Sequence, residues 1–264
     1  MTELRTGLAQ ALGPLYRVER EVRPVGDQRM FVATEIPSGP ELLVKVLPAS
    51  LSLAIDAARF EREVLLLADS LRHPHLVAPR GAGRAGSFIY HCRPFVQGTT
   101  LRAWMAKNGP VPIARAVDIL RGVLTGLAHA HAAKLPHGDL KLEYVLLTDD
   151  GAVLADTGIS GAIERSFSAG PPVPLRVAGA GARNDMEAVA ALTYEMLTGK
   201  PRHAATEPLE RTRALPAWLA DWMHAHWTDA GTALAALRLP PPPPPPPSPP
   251  SPPRPSGPRV SPVA

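Results

Sequence analysis

The chain divides into three stretches by the period of its apolar residues. In the first, the runs YRVEREV, RMFVATEI and ELLVKVL are separated by the turns PVGDQ and PSGP. Short branched and apolar runs bounded by Gly, Pro and polar residues predict strands. LAIDAARFEREVLLLADSL then changes period: Phe60, Val64, Leu67 and Leu71 recur at helical spacing. RHPHLVAP ends that helix, with Pro74 as breaker. LVAPRGAG and SFIYHCRPFV read as two more strands. From residue 99 the pattern is mostly helical. TLRAWMAKNG and IARAVDILRGVLTGLAHAHAAK are amphipathic. YVLLTDDGAVLAD predicts a strand pair turning at Asp150-Gly151. NDMEAVAALTYEMLTG predicts a largely apolar core helix ended by Gly199, and PAWLADWMHAHW through TALAALR predicts the last helical stretch.

From Pro240 the chain is proline with Ser, Arg and Gly. Such runs adopt polyproline II and bury no core, so residues 239–264 are expected to be a disordered tail. A preformed polyproline II segment suits aromatic-lined grooves, which makes a polyproline-binding domain a candidate partner. Residues 1–15 read as an N-terminal extension.

Composition narrows the function classes. The net charge of +4 is carried mainly by scattered Arg, with no basic stripe, which argues against nucleic acid. The single cysteine, Cys92, excludes a disulfide framework. The N-terminus lacks the lead and cleavage site of a secretion signal, and no run approaches a membrane span, so the expectation is a cytoplasmic protein without membrane attachment. Lysine is confined to Lys45, Lys107, Lys134, Lys141 and Lys200.

Six segments, in order, resemble the bacterial Ser/Thr protein kinases. LLVKVL resembles the third-strand V-A-I-K motif, and RFEREVLLLADSLRHPHLV resembles the helix that carries the lysine's glutamate partner. PFVQGTTLRAWMAKNG resembles the hinge, and LAHAHAAKLPHGDLKLEYVLL the catalytic loop H-R-D-x-K-x-x-N. VLADTGIS resembles the D-F-G region, and DMEAVAALTYEMLTGKP the central helix of the large lobe. The resemblance covers about residues 16–238. It implies an α+β, bilobal protein-kinase-like fold: a small strand-rich lobe with one main helix, about 16–98, and a larger helical lobe, about 99–238.

The resemblance also implies roles. Phosphoryl transfer is mostly positioning and neutralising phosphate charge. Lys45 would hold the ATP phosphates, with Glu63 holding Lys45 by an ion pair. Val22 and Met30 would bracket the loop over the nucleotide. Asp156 would bind Mg²⁺, Asp139 would accept the proton of the attacking hydroxyl, and Lys141 would face the transferred phosphate. His137 reads as a core-packing histidine.

Other positions depart from the family pattern. Arg23, Val25 and Gln28 stand where the loop wants glycines, whose backbone N–H groups approach phosphates closely. Leu43 replaces the small alanine over the adenine. Arg93 replaces an apolar residue at the back of the pocket, where a buried charge needs an acid beside it. Tyr144 replaces the asparagine that supplies an oxygen to the second metal ion. Gly138 replaces the arginine that anchors a phosphorylated activation loop, and Thr157 the phenylalanine of D-F-G. No A-P-E follows Asp156, and SFSAGPPVPLRVAGAGAR predicts a mobile segment. These departures favour a pseudokinase acting as an interaction or regulatory module on a protein partner. The competing readings are an atypical active kinase using ATP and Mg²⁺ on protein substrates, and a small-molecule phosphotransferase, suggested by HGDL.

Overall fold

A computed structural model describes residues 2–14, 16–25, 28–168, 182–202 and 214–237. The smaller lobe is a five-stranded antiparallel sheet in the order β1-β2-β3-β6-β5. Its strands are β1 (Tyr16–Val25), β2 (Gln28–Glu35), β3 (Glu41–Val46), β5 (Gly81–Ala85) and β6 (Phe88–Pro94). Alternation along these strands assigns two faces. One face carries Phe31, Leu42, Val44, Val46 and Cys92, all buried with Leu4 and Leu8 of a helix α1 (Thr2–Leu12). The expected N-terminal extension thus contributes to the small lobe: α1 covers one side of the sheet, and Arg5 bonds the carbonyls of Val18 and Glu19 at 3.0 and 3.1 Å.

The other face looks into the cleft. Residues directly opposed across an antiparallel pair share a face. Val22 stands opposite Met30, Met30 opposite Lys45 and Lys45 opposite His91. A second row on that face joins Val32, Leu43 and Arg93. Because α1 seals the reverse side, ELLVKV is almost wholly buried, and Lys45 is buried with it.

A short helix α2 (Ala49–Ala54) leads to α3 (Ala57–Ser70), whose N-cap Asp56 accepts the Arg59 amide. This satisfies one of the first-turn donors that a helix leaves unpaired. Phe60, Val64, Leu67 and the capping Leu71 are fully buried, as their spacing predicts. The run after Pro74 divides: β4 (Leu76–Val77) leaves the first sheet and pairs parallel with β9 (Gly151–Ala155) in a four-stranded sheet, β4-β9-β8-β7. Its other strands are β7 (Thr99–Thr100) and β8 (Val145–Thr148).

The larger lobe is built on α4 (Leu101–Asn108), α5 (Ile113–Ala132), α6 (Ile159–Arg165), α7 (Ala182–Thr198), α8 (Ala217–His224) and α9 (Ala230–Ala236). Gly122 and Gly126 lie one turn apart on α5 and let chain pass against it. A Cβ at these positions would lie 2.7 Å from the Ala152 carbonyl and 2.8 Å from that of His75. That close approach seats β9, and so the residue that follows it, Asp156. One core cluster joins α3, α5, α7, α8 and α9.

The segment after Asp156 departs from expectation. It begins with helix α6, and residues 166–168 are strapped to the small lobe rather than loose. The Asp56 amide donates to Ser166 O at 2.8 Å, Ser168 N donates to Ala54 O at 3.1 Å, and Phe167 bridges to Ile55. Buried apolar contact and backbone bonding outweigh the small-residue composition here, since Ser166 and Phe167 are buried. Of the rest of that expected mobile segment, Ala182 and Arg183 open helix α7, while 169–181, like the proline-rich tail, lie outside the described residues.

Candidate active site

Lys45 projects from β3 into the cleft, where its ammonium bonds Asp156 Oδ2. Asp156 follows β9 with φ at 64°, a left-handed conformation that Asp tolerates better than most residues. Arg93 projects from β6 on the same face, with Nε 3.4 Å from the other oxygen, Oδ1. It also donates from Nη1 to Pro94 O at 3.2 Å. All three groups are buried. Burial alone would raise the Asp156 pKa; the charges of Lys45 and Arg93 outweigh it and hold the carboxyl below its usual range. His91, next in the row to Lys45, is driven to about 4 by burial, which Asp156 only partly offsets. It is therefore neutral at physiological pH. One carboxylate serves two cations.

Tyr144 closes the opposite wall. It ends a 3₁₀ turn (Leu142–Tyr144) held from two sides, since Arg102 of α4 bonds Glu143 at 2.8 Å and also pairs with Glu195 of α7. The Tyr144 ring lies 4.8 Å from both the Lys45 and the Lys141 ammonium groups, a favourable cation–ring arrangement. Burial, then the charges of Asp156 and of nearby Asp139, push its pKa up. Asp139 accepts from Lys141 at 2.8 Å, and both of those side chains are well exposed at the cleft edge.

The loop that carries Asp139 hangs from a residue that sequence reasoning passed over. Asp185, in the first turns of α7, accepts the amides of His137 and Gly138 at 2.7 and 3.0 Å. His131 Nε2 lies 2.8 Å from it. No local pattern marks Asp185 in sequence; its only signal is an acid early in an otherwise apolar helix. His137 is fully buried. Its Nε2 lies 3.1 Å from Ala155 O and its Nδ1 accepts the Asp139 amide, which fits the Nε2–H tautomer. Burial lowers its pKa, so it packs as a neutral ring.

The structure thus brings Lys45, Asp156, Tyr144, Asp139 and Lys141 together, with Met30 beside Lys45 and Val22 next in the row. Glu63 is not among them. The expected Lys45–Glu63 ion pair is absent: Glu63 Oε2 instead receives Arg165 Nε of α6 at 2.6 Å. The reason is positional. Helix α6 packs against α3 and offers a guanidinium on its near side, while Lys45 already has a carboxylate. The Glu63–Arg165 pair is partly solvent-exposed, so it adds about 1 kcal/mol at most. Arg165→Ala should accordingly shift the melting temperature by no more than about 4 °C. A larger drop in a thermal melt would show that α6 depends on this pair.

A magnesium ion bound as in active kinases needs a free carboxylate at 156 and an oxygen ligand at 144. Here both Asp156 oxygens face cations, and Tyr144 presents a protonated phenol. This donor set does not fit the ion. Among the described residues no cluster of three His, Cys, Asp or Glu side chains could hold a metal. Leu43 is buried on the same face, in the row that also holds Val32 and Arg93.

The arrangement of motifs has close parallels. The protein kinase domain family matches residues 29–219, more than half of the chain. The Ser/Thr-protein kinase PknL of Mycobacterium bovis is 32% identical over 199 residues, covering 70% of this chain and 49% of the relative. The probable Ser/Thr-protein kinase PknB of Lactococcus lactis is 29% identical over 199 residues, covering 70% and 32%. The chain thus spans half or less of these relatives. The PknI kinase domain of Mycobacterium tuberculosis superposes with a TM-score of 0.68 at 23% identity, covering 85% of this chain and 94% of that one, a likeness of fold. With the lobes, the cleft and the ordered motifs all in place, this chain belongs to the protein kinase domain family, among the bacterial kinases of eukaryotic type.

Proposed function

We propose that this chain is a pseudokinase module that works through protein contacts, its nucleotide cleft closed by its own side chains. The observation that carries this reading is the buried pair between Lys45 and Asp156. The lysine that would meet ATP phosphates and the carboxylate that would meet the metal neutralise each other. Separating them costs several kcal/mol of buried ion-pair interaction before any ligand is bound. Tyr144, against both Lys45 and Lys141, supports the same reading.

A thermal-shift titration with ATP, with and without Mg²⁺ or Mn²⁺, tests it. A ligand at a hundred times its Kd stabilises a fold by about 2.7 kcal/mol. The expected result is no metal-dependent rise at millimolar ATP. A rise of several degrees that requires Mg²⁺ would overturn the proposal.

One observation favours a second reading, an atypical active Ser/Thr kinase: Asp139 and Lys141 remain accessible at the cleft edge. If the protein transfers phosphate to protein hydroxyls, Asp139→Asn abolishes the transfer by removing the proton acceptor. Nothing beyond the HGDL loop supports a small-molecule phosphotransferase. Among the described residues no helix is long and apolar enough to cross a membrane.

A further inference from the structure

We infer that Arg93 is the residue that excludes a divalent metal from this cleft, its guanidinium standing as a built-in cation on the carboxylate oxygen that an ion would take. This deepens the closed-cleft reading above and rests on it.

Three observations carry the assignment. The first is placement. Arg93 lies two residues from His91 on β6 and opposite Leu43, so it shares the cleft face with Lys45. A strand in which nearly every residue is buried has taken in a guanidinium at that point. The second is the pairing. Among buried side-chain atoms, Arg93 Nε and Asp156 Oδ1 are both without a hydrogen-bond partner, and they stand 3.4 Å apart. Each is the other's nearest means of compensation, since a buried charge without an opposite charge is strongly unfavourable. The Nη1 bond to Pro94 O fixes the guanidinium in that position.

The third is the charge balance. Lys45 and Arg93 set two positive charges against one carboxylate, and His91 is neutral. The buried cluster already holds one excess positive charge. A divalent ion on Asp156 would raise that excess to three in a low-dielectric space. With Arg93 replaced by an uncharged side chain, Lys45 and Asp156 balance, Oδ1 is free, and the repulsion facing an incoming ion falls by one full charge.

The test uses the full chain with ADP as probe. Wild type, Arg93→Met and Arg93→Gln are titrated by calorimetry in Mg²⁺ and in EDTA, with circular dichroism and thermal melts confirming the fold. Met matches the apolar strand and Gln retains a donor for Pro94 O, so two different replacements read the same question. The expected result is a gain in Mg²⁺-dependent ADP affinity on the order of tenfold, which is the lower end of what a close charge pair is worth. Affinity in EDTA should change little. A folded variant that binds ADP no better in Mg²⁺ than wild type does would overturn the role of Arg93 while leaving the closed cleft standing. Tight Mg²⁺-dependent binding by wild type would overturn the closed cleft and the Arg93 assignment together.

Discussion

Asp156→Asn should lower the melting temperature by about 10 °C, the largest effect expected of any single change in the cleft. The substitution keeps the shape and removes the charge. Lys45 and Arg93 are then buried with no anion between them. Breaking a buried pair by deleting one partner costs about 3–5 kcal/mol, because the remaining charge is left uncompensated. In a domain of this size each kcal/mol moves the midpoint by about 2–4 °C. Replacing the whole cluster with Lys45→Met, Arg93→Met and Asp156→Leu should recover most of the loss, since apolar groups of similar volume often replace buried ions without penalty. A midpoint for Asp156→Asn within about 2 °C of wild type would mean that the two cations find other partners. The acid limb gives a second check. The folded-state pKa of Asp156 lies below its unfolded value. Its contribution is therefore fully present above about pH 4, the unfolded pKa, and is lost as pH falls through the folded value. The difference in stability between wild type and Asp156→Asn should shrink as the solution is acidified below that point.

Asp185→Ala should cost about 3–5 kcal/mol and release the loop that carries Asp139. Two buried backbone amides, from His137 and Gly138, lose their acceptor at once. Each orphaned buried donor costs about 1–3 kcal/mol. Hydrogen exchange at those two amides should accelerate well beyond the change seen in α5, which separates loss of the anchor from general loosening. Asp185→Asn keeps one acceptor oxygen and should fall between wild type and Ala. Burial works to raise the Asp185 pKa, but the bonds from His131, Gly138 and His137 prevail and lower it. Its stabilisation too is lost as pH falls through the folded-state value. Exchange at His137 and Gly138 that matches wild type in Asp185→Ala would remove Asp185 from the anchoring role.

Much of this molecule is written locally in the chain. The helical spacing of Phe60, Val64, Leu67 and Leu71 defines α3, and all four are buried. The short branched and apolar runs ELLVKVL and SFIYHCRPFV define β3 and β6, buried nearly throughout, and the Asp150-Gly151 turn joins β8 to β9. The charged motif residues are legible too, because a lysine inside an apolar strand and an aspartate beside a tight turn each violate the surrounding pattern. Even the need of Arg93 for an acid follows from elementary electrostatics applied to one strand.

The choice of partners was decided only in three dimensions. Glu63 meets Arg165, 102 residues away, because α6 packs against α3. Lys45 meets Asp156, 111 residues away, because the glycines of α5 let β9 approach and so seat Asp156 beneath β3. Periodicity reports which face a side chain takes, and nothing in it states which distant charge will be waiting there. The same holds for α1, whose polar-looking sequence covers a sheet only because that sheet presents Phe31, Val44 and Cys92. It holds for Asp185, an ordinary helix acid until the His137–Gly138 turn brings two amides to it. Local sequence determined the elements and the types of charge in the cleft. Tertiary packing determined which charges neutralise one another, because ion pairing depends on distances of a few ångströms between segments that sequence spacing leaves free.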